Sequence, residues 1–255
     1  MTIMATRHMN INRLVHRVFE EIKATYKIAR STSLSDAITT LIAKADIQIM
    51  NRNGYRETAS VTKRLLLKHD IMLAYFERQF ALFLKTYNCD FVQNESHLKY
   101  KDKIWICWWQ GIQNAPPIVK RCIESIERYS GKYEVVIITD DNYTDFISLP
   151  DWVEKKRVDG VISKTHYSDL LRLKLLATYG GIWIDSTFFC VDNCFEEIMN
   201  KSLWSIKRPD YLHCSIAGGY FANYSLGCNL ENRRTFTVVL DYLLHYWAHN
   251  DFIID

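Results

Sequence analysis

The chain has 255 residues, 48% hydrophobic and 13% aromatic, with nine Gly and four Pro, which excludes a disordered or fibrous polymer and allows one sizeable core with a small accessory region. Net charge is only +3, yet it is split: residues 1–103 carry 17 Lys/Arg against 10 Asp/Glu, and residues 104–255 carry 15 against 19. A basic front half points to an anionic neighbour: a membrane surface, a lipid phosphate or nucleic acid.

The first part reads as helical. Ile11, Leu14, Val15, Val18, Phe19 and Ile22 recur at helical spacing, with Arg13, Arg17 and Lys23 on the other side. A second helix is expected after Ser33 or Ser35, either one a plausible N-cap, to about Met50. "NRNGYR" breaks the pattern, and a long helix follows from about Glu57 to Tyr87. Residues 88–102 read as a linker, so residues 1–102 form a basic helical region and 103–255 a second domain.

The texture changes at Lys103. "IWICWW" is a short buried-strand candidate, "NAPP" opens a helix from Ile118 to about Tyr129, and "YEVVIITDDN" is a second strand ending in Asp140 and Asp141. Strand, helix, strand is the pattern of a parallel sheet covered on both faces. Ligands in such sheets collect at the carboxyl ends of strands, here Trp108, Trp109 and Gln110, then Thr139, Asp140 and Asp141. "SDLLRLKLLATYGGIWID" follows: a helix N-capped by Ser168 and running to Tyr179, Gly180 as a left-handed C-cap, a close turn at Gly181, and a buried strand closed by Asp185.

The leucines of this helix cover most of its circumference, which marks a buried helix, yet Asp169 and Arg172 lie on one side of it. A lone buried charge costs several kcal/mol, so either the two pair with each other or they face a polar cavity. Asp185 arrives at the same sheet edge. Three charges converging in an apolar setting favour a site.

Other candidates are weaker. Seven Cys are scattered, and the CxxxC of Cys190 and Cys194 has no second pair to complete a zinc set, so reduced core or loop thiols are expected. No apolar run approaches the ~20 residues that span a bilayer, and the N-terminus lacks a signal-peptide stretch. His245 and His249 form HxxxH without a following Glu, which fits surface histidines better than a metalloprotease. His166 lines the site or is an idle loop residue; Gly218, Gly219 and Gly227 mark plain turns or a loop with a binding role. No dinucleotide, P-loop or nucleophile-elbow motif occurs. Aromatics sit mostly in the acidic half within apolar runs, which argues against nucleic acid. The basic helix at 11–30 either lies on a membrane or docks on the second domain.

The run S-D-x-x-R, a short helix, Y-G-G, an apolar triplet and Asp resembles the core motif of DXD-type glycosyltransferases of GT-A fold. That superfamily includes yeast-type α-mannosyltransferases and clostridial glucosylating toxins. "YGGIWID" followed by Ser186 and Thr187, with "IWICWWQGIQNAPPIVKRCIES" upstream, is most similar to the bacterial capsular polysaccharide synthesis proteins. The likeness covers about residues 100–255 and implies an α/β, Rossmann-like GT-A domain behind an N-terminal helical region.

The resemblance implies that Trp108 and Gln110 lie near the nucleotide base, and that Asp169 and Arg172 hold the donor sugar and its diphosphate. Gly181 is placed among the donor-binding residues. Asp185 matches the first acid of DXD, which meets the ribose and a divalent metal, Mn²⁺ or Mg²⁺. Thr187 stands where the second acid is expected, so the metal is held more weakly, completed elsewhere or absent. The expected activity is metal-assisted hexosyl transfer from a UDP- or GDP-sugar to a glycan or lipid-linked acceptor in capsule or surface polysaccharide synthesis. Retention of configuration is implied, with no dedicated enzyme base. A non-catalytic nucleotide-sugar or glycan-binding module is the alternative, and Thr187 favours it. Cytoplasmic residence is expected, with peripheral contact at the inner face of the plasma membrane and no nucleic-acid partner. "YWAHNDFIID" reads as a helix that stops before its cap, as in a C-terminally incomplete domain.

Overall fold

The computed structural model describes residues 11–88, 99–207, 213–215 and 217–254. The described residues divide into two compact units, one of residues 11–86, 213–215 and 252–254, the other of residues 87–88, 99–207 and 217–251. Most of the expected linker and Cys89 lie outside the described residues.

The first unit holds three helices: α1 (Ile11–Ser31), α2 (Leu34–Arg52) and α3 (Ala59–Leu84). Ser33 caps α2 by accepting from Asp36 N, and Thr58 caps α3 by accepting from Val61 N. Ala24, Ile28, Ala37, Ile71, Met72 and Tyr75 form the core, with Phe252 and Ile254 packed into it. Glu21–Lys44 at 3.0 Å and Asp46–Arg64 at 2.6 Å tie α1 to α2 and α2 to α3. Of the apolar stripe read from the sequence of α1, Val18, Phe19 and Ile22 are 51%, 60% and 59% exposed. The helix packs along Ala24 and Ile28 instead, because a small residue lets a neighbouring helix approach closely.

The second unit is an α/β sandwich consistent with a Rossmann-like fold. In chain order it contains β1 (Ile104–Cys107), α4 (Pro117–Tyr129), β2 (Val135–Ile138), α5 (Asp151–Val158), α6 (Lys164–Tyr179), β3 (Gly181–Ile184), α7 (Phe195–Met199), β4 (Leu203–Ser205), β5 (Ser225–Cys228) and α8 (Arg234–His249). The sheet order is β2-β1-β3-β5-β4. β1 runs parallel to β2 and β3, whereas β5 is antiparallel to both β3 and β4, so the sheet is mixed.

Strand residues alternate between two buried faces. Ile104, Ile106, Ile182 and Ile184 pack with Val119, Ile123 and Ile126 of α4 and Phe195 of α7. Trp105 and Trp183, nearly inaccessible, occupy the alternate positions of β1 and β3, and the Trp105 ring meets Tyr179 of α6 and Phe146 at 5.7 Å each. The connection from β1 leads to one neighbour, β2, and the connection from β2 crosses back to β3 on β1's other side. This reversal opens a crevice at the carboxyl ends of β1 and β3.

Three local expectations are corrected. α6 begins at Lys164 and its N-cap is Ser163, which accepts from His166 N; Ser168 lies in the second turn. Gly180 has φ 68 and ψ −150, a positive-φ conformation but not the left-handed helical one. The C-terminal helix does finish: α8 ends at His249, and the Asn250 side chain donates to Tyr246 O at 2.7 Å. No helix among the described residues is long and apolar enough to cross a membrane.

Candidate functional site

A hollow of about 320 Å³ opens at the carboxyl ends of β1 and β3, beside the N-terminal half of α6. Cys107, Trp108, Trp109 and Gln110 line it from β1, Lys164, Ser168 and Arg172 from α6, and Trp183, Asp185 and Ser186 from β3. This size falls at the lower end for small-molecule sites. A larger hollow of about 790 Å³ lies among the N-terminal helices near Asp46, Asn53 and Arg56, but no set of chemically matched groups converges there.

The three charges singled out in the sequence do meet. Arg172 Nη2 lies 3.3 Å from Asp169 Oδ1 and 3.8 Å from Asp185 Oδ1. The guanidinium is only 7% exposed, so it is nearly desolvated, while Asp169 and Asp185 keep 27% and 39% of their side-chain surface. Its remaining donors are used as well: Nε gives to Ser168 O at 3.2 Å and Nη1 to the Asn223 carbonyl. Beneath it lies the Trp183 ring, 5.1 Å away, a cation–π contact that helps to hold a desolvated arginine. Burial pushes the Asp169 carboxyl above its ordinary value, against the pull of Arg172.

Trp108 is half-buried, and its Nε1–H is the one indole donor among the described residues that is buried with no hydrogen-bond partner. Such a group is expensive to leave unpartnered. Gln110 is exposed at the rim. Gly181 is not at the hollow: it starts β3, at the end opposite Asp185, with φ 86. A Cβ there would stand 2.4 Å from Lys103 O, so glycine is needed for backbone packing. Thr187 is exposed just past Asp185.

Some participants went unrecognised in the sequence. The Asn223 side-chain amide donates to Asp169 Oδ1 at 3.3 Å and its carbonyl accepts from Arg172, so the segment before β5 closes one side of the triad. Only the glycines nearby had marked that loop; Gly218 and Gly219 have positive φ, and Gly227 sits within β5. Trp109 donates to Ser168 Oγ at 2.9 Å, locking the β1 end to α6. Lys164 pairs with Asp140 at the rim. Burial holds the Cys107 thiol at about 12, neutral and unreactive at ordinary pH.

The remaining histidines stand apart. His166 packs its ring against Trp247 at 5.5 Å. His245 and His249 are exposed, and His249 Nδ1 bonds the His245 carbonyl at 2.8 Å, as surface residues one turn apart do. All six described cysteines are free; Cys122, Cys190 and Cys228 are buried, but Cys194 is exposed.

Among the described residues no group of three or more His, Cys, Asp or Glu is placed to hold a metal ion. Asp185 offers one carboxylate, with Oδ1 already accepting from Trp183 Nε1 at 2.8 Å, and Thr187 offers an exposed hydroxyl. This donor set does not make a protein-only cage. The Asp185 carboxylate would suit Mg²⁺ or Mn²⁺ shared with substrate phosphates, since such ions need only one or two carboxylates and keep several waters.

The sequence profile of the family described as capsular polysaccharide synthesis protein matches residues 52–255, which include the whole site. The chain is 33% identical over 107 residues to O-glycosyltransferase braB of Annulohypoxylon truncatum, covering 38% of this chain and 25% of that protein. It is 32% identical over 102 residues to O-glycosyltransferase PaGT of Phomopsis amygdali, covering 35% and 25%. Glycosyltransferase afumC of Aspergillus fumigatus is 32% identical over 91 residues, 32% of this chain and 23% of that protein. The matched region thus spans about a quarter of these relatives' length. No solved structure matches significantly. With its profile match covering most of the chain and its relatives named as glycosyltransferases, this protein belongs to the capsular polysaccharide synthesis protein family, a family of glycosyltransferase type.

Proposed function

We propose that residues 103–255 form the donor-binding part of a GT-A glycosyltransferase, which moves a hexosyl group from a UDP- or GDP-sugar to a glycan or lipid-linked acceptor. The observation that carries this reading is the meeting of Asp169 and Asp185 on Arg172, with Arg172 and Asp185 lining the hollow at the carboxyl ends of β1 and β3. A reading as capsule or surface polysaccharide synthesis follows the family's description. Retention of configuration follows the same resemblance.

In this reading Trp108 and Gln110 receive the base. Asp169 and Asp185 accept hydrogen bonds from donor hydroxyls. Arg172 fixes both carboxylates in place, so that no reorganisation is needed when charge develops on the departing diphosphate. Asp185 and Thr187 would hold Mg²⁺ or Mn²⁺, which would neutralise charge on that leaving group. The basic helices of residues 1–102 make a peripheral contact at the inner face of a membrane, and the exposed Phe19, Ile22 and Tyr26 of α1 support that part of the reading.

The test is incubation with a panel of UDP- and GDP-sugars plus Mn²⁺, read as slow donor hydrolysis or transfer. Asp185→Asn and Asp169→Ala are expected to lower the rate at least about a hundredfold. Full activity in both variants overturns the assignment. Nucleotide-sugar binding with no turnover on any acceptor supports the second reading, a non-catalytic binding module, for which Thr187 in place of an acid is the supporting feature.

A further inference from the structure

We infer that Lys164 carries the diphosphate subsite of the hollow, leaving Asp140 for the incoming phosphates; this rests on the donor-binding reading above. The first argument is charge. Arg172 is one cation held by two carboxylates, Asp169 and Asp185, and it is nearly desolvated, with its donors committed to Asp169, Ser168 O and Asn223 O. Without a metal ion the cluster is therefore net negative, and it repels a nucleoside diphosphate. Among the residues lining the hollow, the other cation is Lys164.

The second argument is placement. Lys164, Ser168 and Arg172 lie at i, i+4 and i+8 of α6, so they share one face, about 6 Å apart per step. Lys164 opens the helix, where backbone N–H groups add to the pull on an anion. Its Nζ sits 6.0 Å from the Trp109 ring, against the wall of the hollow. A ligand with its base at Trp108 and its sugar at the triad has its phosphates between these points.

The third argument is that Lys164 is free to move. Its side chain is 53% exposed, its ion pair with Asp140 is of the solvent-exposed kind that contributes little, and its four-carbon stem is flexible. Asp140 is not left unpaired when Lys164 departs, because Arg157 Nη1 lies 3.7 Å from its Oδ1. Arg157 stays where it is, bonded to Glu154 at 3.1 Å and to Tyr143 Oη at 2.9 Å. Lys164 is thus a stored cation that the ligand draws out of a dispensable pair.

The test is titration of the purified protein with UDP, UMP, GDP and GMP by calorimetry, with EDTA and again with Mn²⁺. The wild type is expected to bind one diphosphate more tightly than its monophosphate. Lys164→Met is expected to lower diphosphate affinity about tenfold and to erase that preference, while Lys164→Arg retains it. Asp140→Asn, which releases Lys164, is expected to tighten diphosphate binding. A Lys164→Met protein that melts like wild type and keeps the diphosphate-to-monophosphate ratio overturns the inference and leaves the donor-binding reading standing. A wild type that binds neither UDP nor GDP overturns the donor-binding reading itself.

Discussion

Trp183 donates its indole N–H to Asp185 Oδ1 at 2.8 Å, from two residues earlier on the same face of the chain. The same ring supports Arg172 from below. A single buried tryptophan therefore orients one acid of the site and stabilises its central cation. Trp183→Phe keeps an aromatic face but removes the donor and leaves a smaller ring in a buried position. It is expected to lower donor turnover about tenfold while costing roughly 2–3 kcal/mol of stability. Rates and melting temperatures measured together check this; an unchanged rate shows that Asp185 needs no orienting partner.

Asp169 gives a pH prediction. Burial raises its carboxyl above the ordinary value, so the folded state holds that proton more tightly than the unfolded chain. The stabilising contribution is full below the unfolded value and is lost as pH rises through the folded one. Relative to Asp169→Asn, the wild type is expected to be more stable near pH 3.5 than near pH 7. Melting temperatures of both proteins across that range decide the point. A wild type that instead gains on the variant with rising pH shows that attraction to Arg172 outweighs burial.

Gly181 is expected to resist substitution for a purely mechanical reason. Its φ of 86 disfavours any side chain, and a Cβ meets Lys103 O at 2.4 Å. Backbone contacts cannot yield as a flexible side chain can. Gly181→Ala is expected to cost about 3 kcal/mol or more, read by chemical denaturation. Nucleotide affinity per folded molecule is expected to persist, since Gly181 lies at the end of β3 away from the hollow.

Thr187 is exposed beside Asp185, so an acid there meets no steric obstacle. Thr187→Asp is expected to lower the Mn²⁺ concentration giving half-saturation by roughly tenfold, because a carboxylate is a better ligand than a hydroxyl for a hard cation. Electron paramagnetic resonance of Mn²⁺ in the presence of UDP reads this directly. Unchanged Mn²⁺ affinity places the metal away from Thr187.

The sequence by itself determined the local elements and part of the site. Ser33 and proline at the start of α4 marked helix starts, and the alternation of apolar strands with helices marked the α/β unit. Asp169 and Arg172 were legible because three residues in a helix share a face, and Asp185 because it ends an apolar strand. The tertiary structure alone decided what these groups touch. Asn223 reaches Asp169 from 54 residues away, Lys164 finds Asp140 from 24, and β5 enters antiparallel beside β3. It also decided that Val18, Phe19 and Ile22 of α1 are exposed. Periodicity fixes which residues share a face, but which face is covered depends on partners that arrive from distant parts of the chain, and no local pattern encodes their arrival.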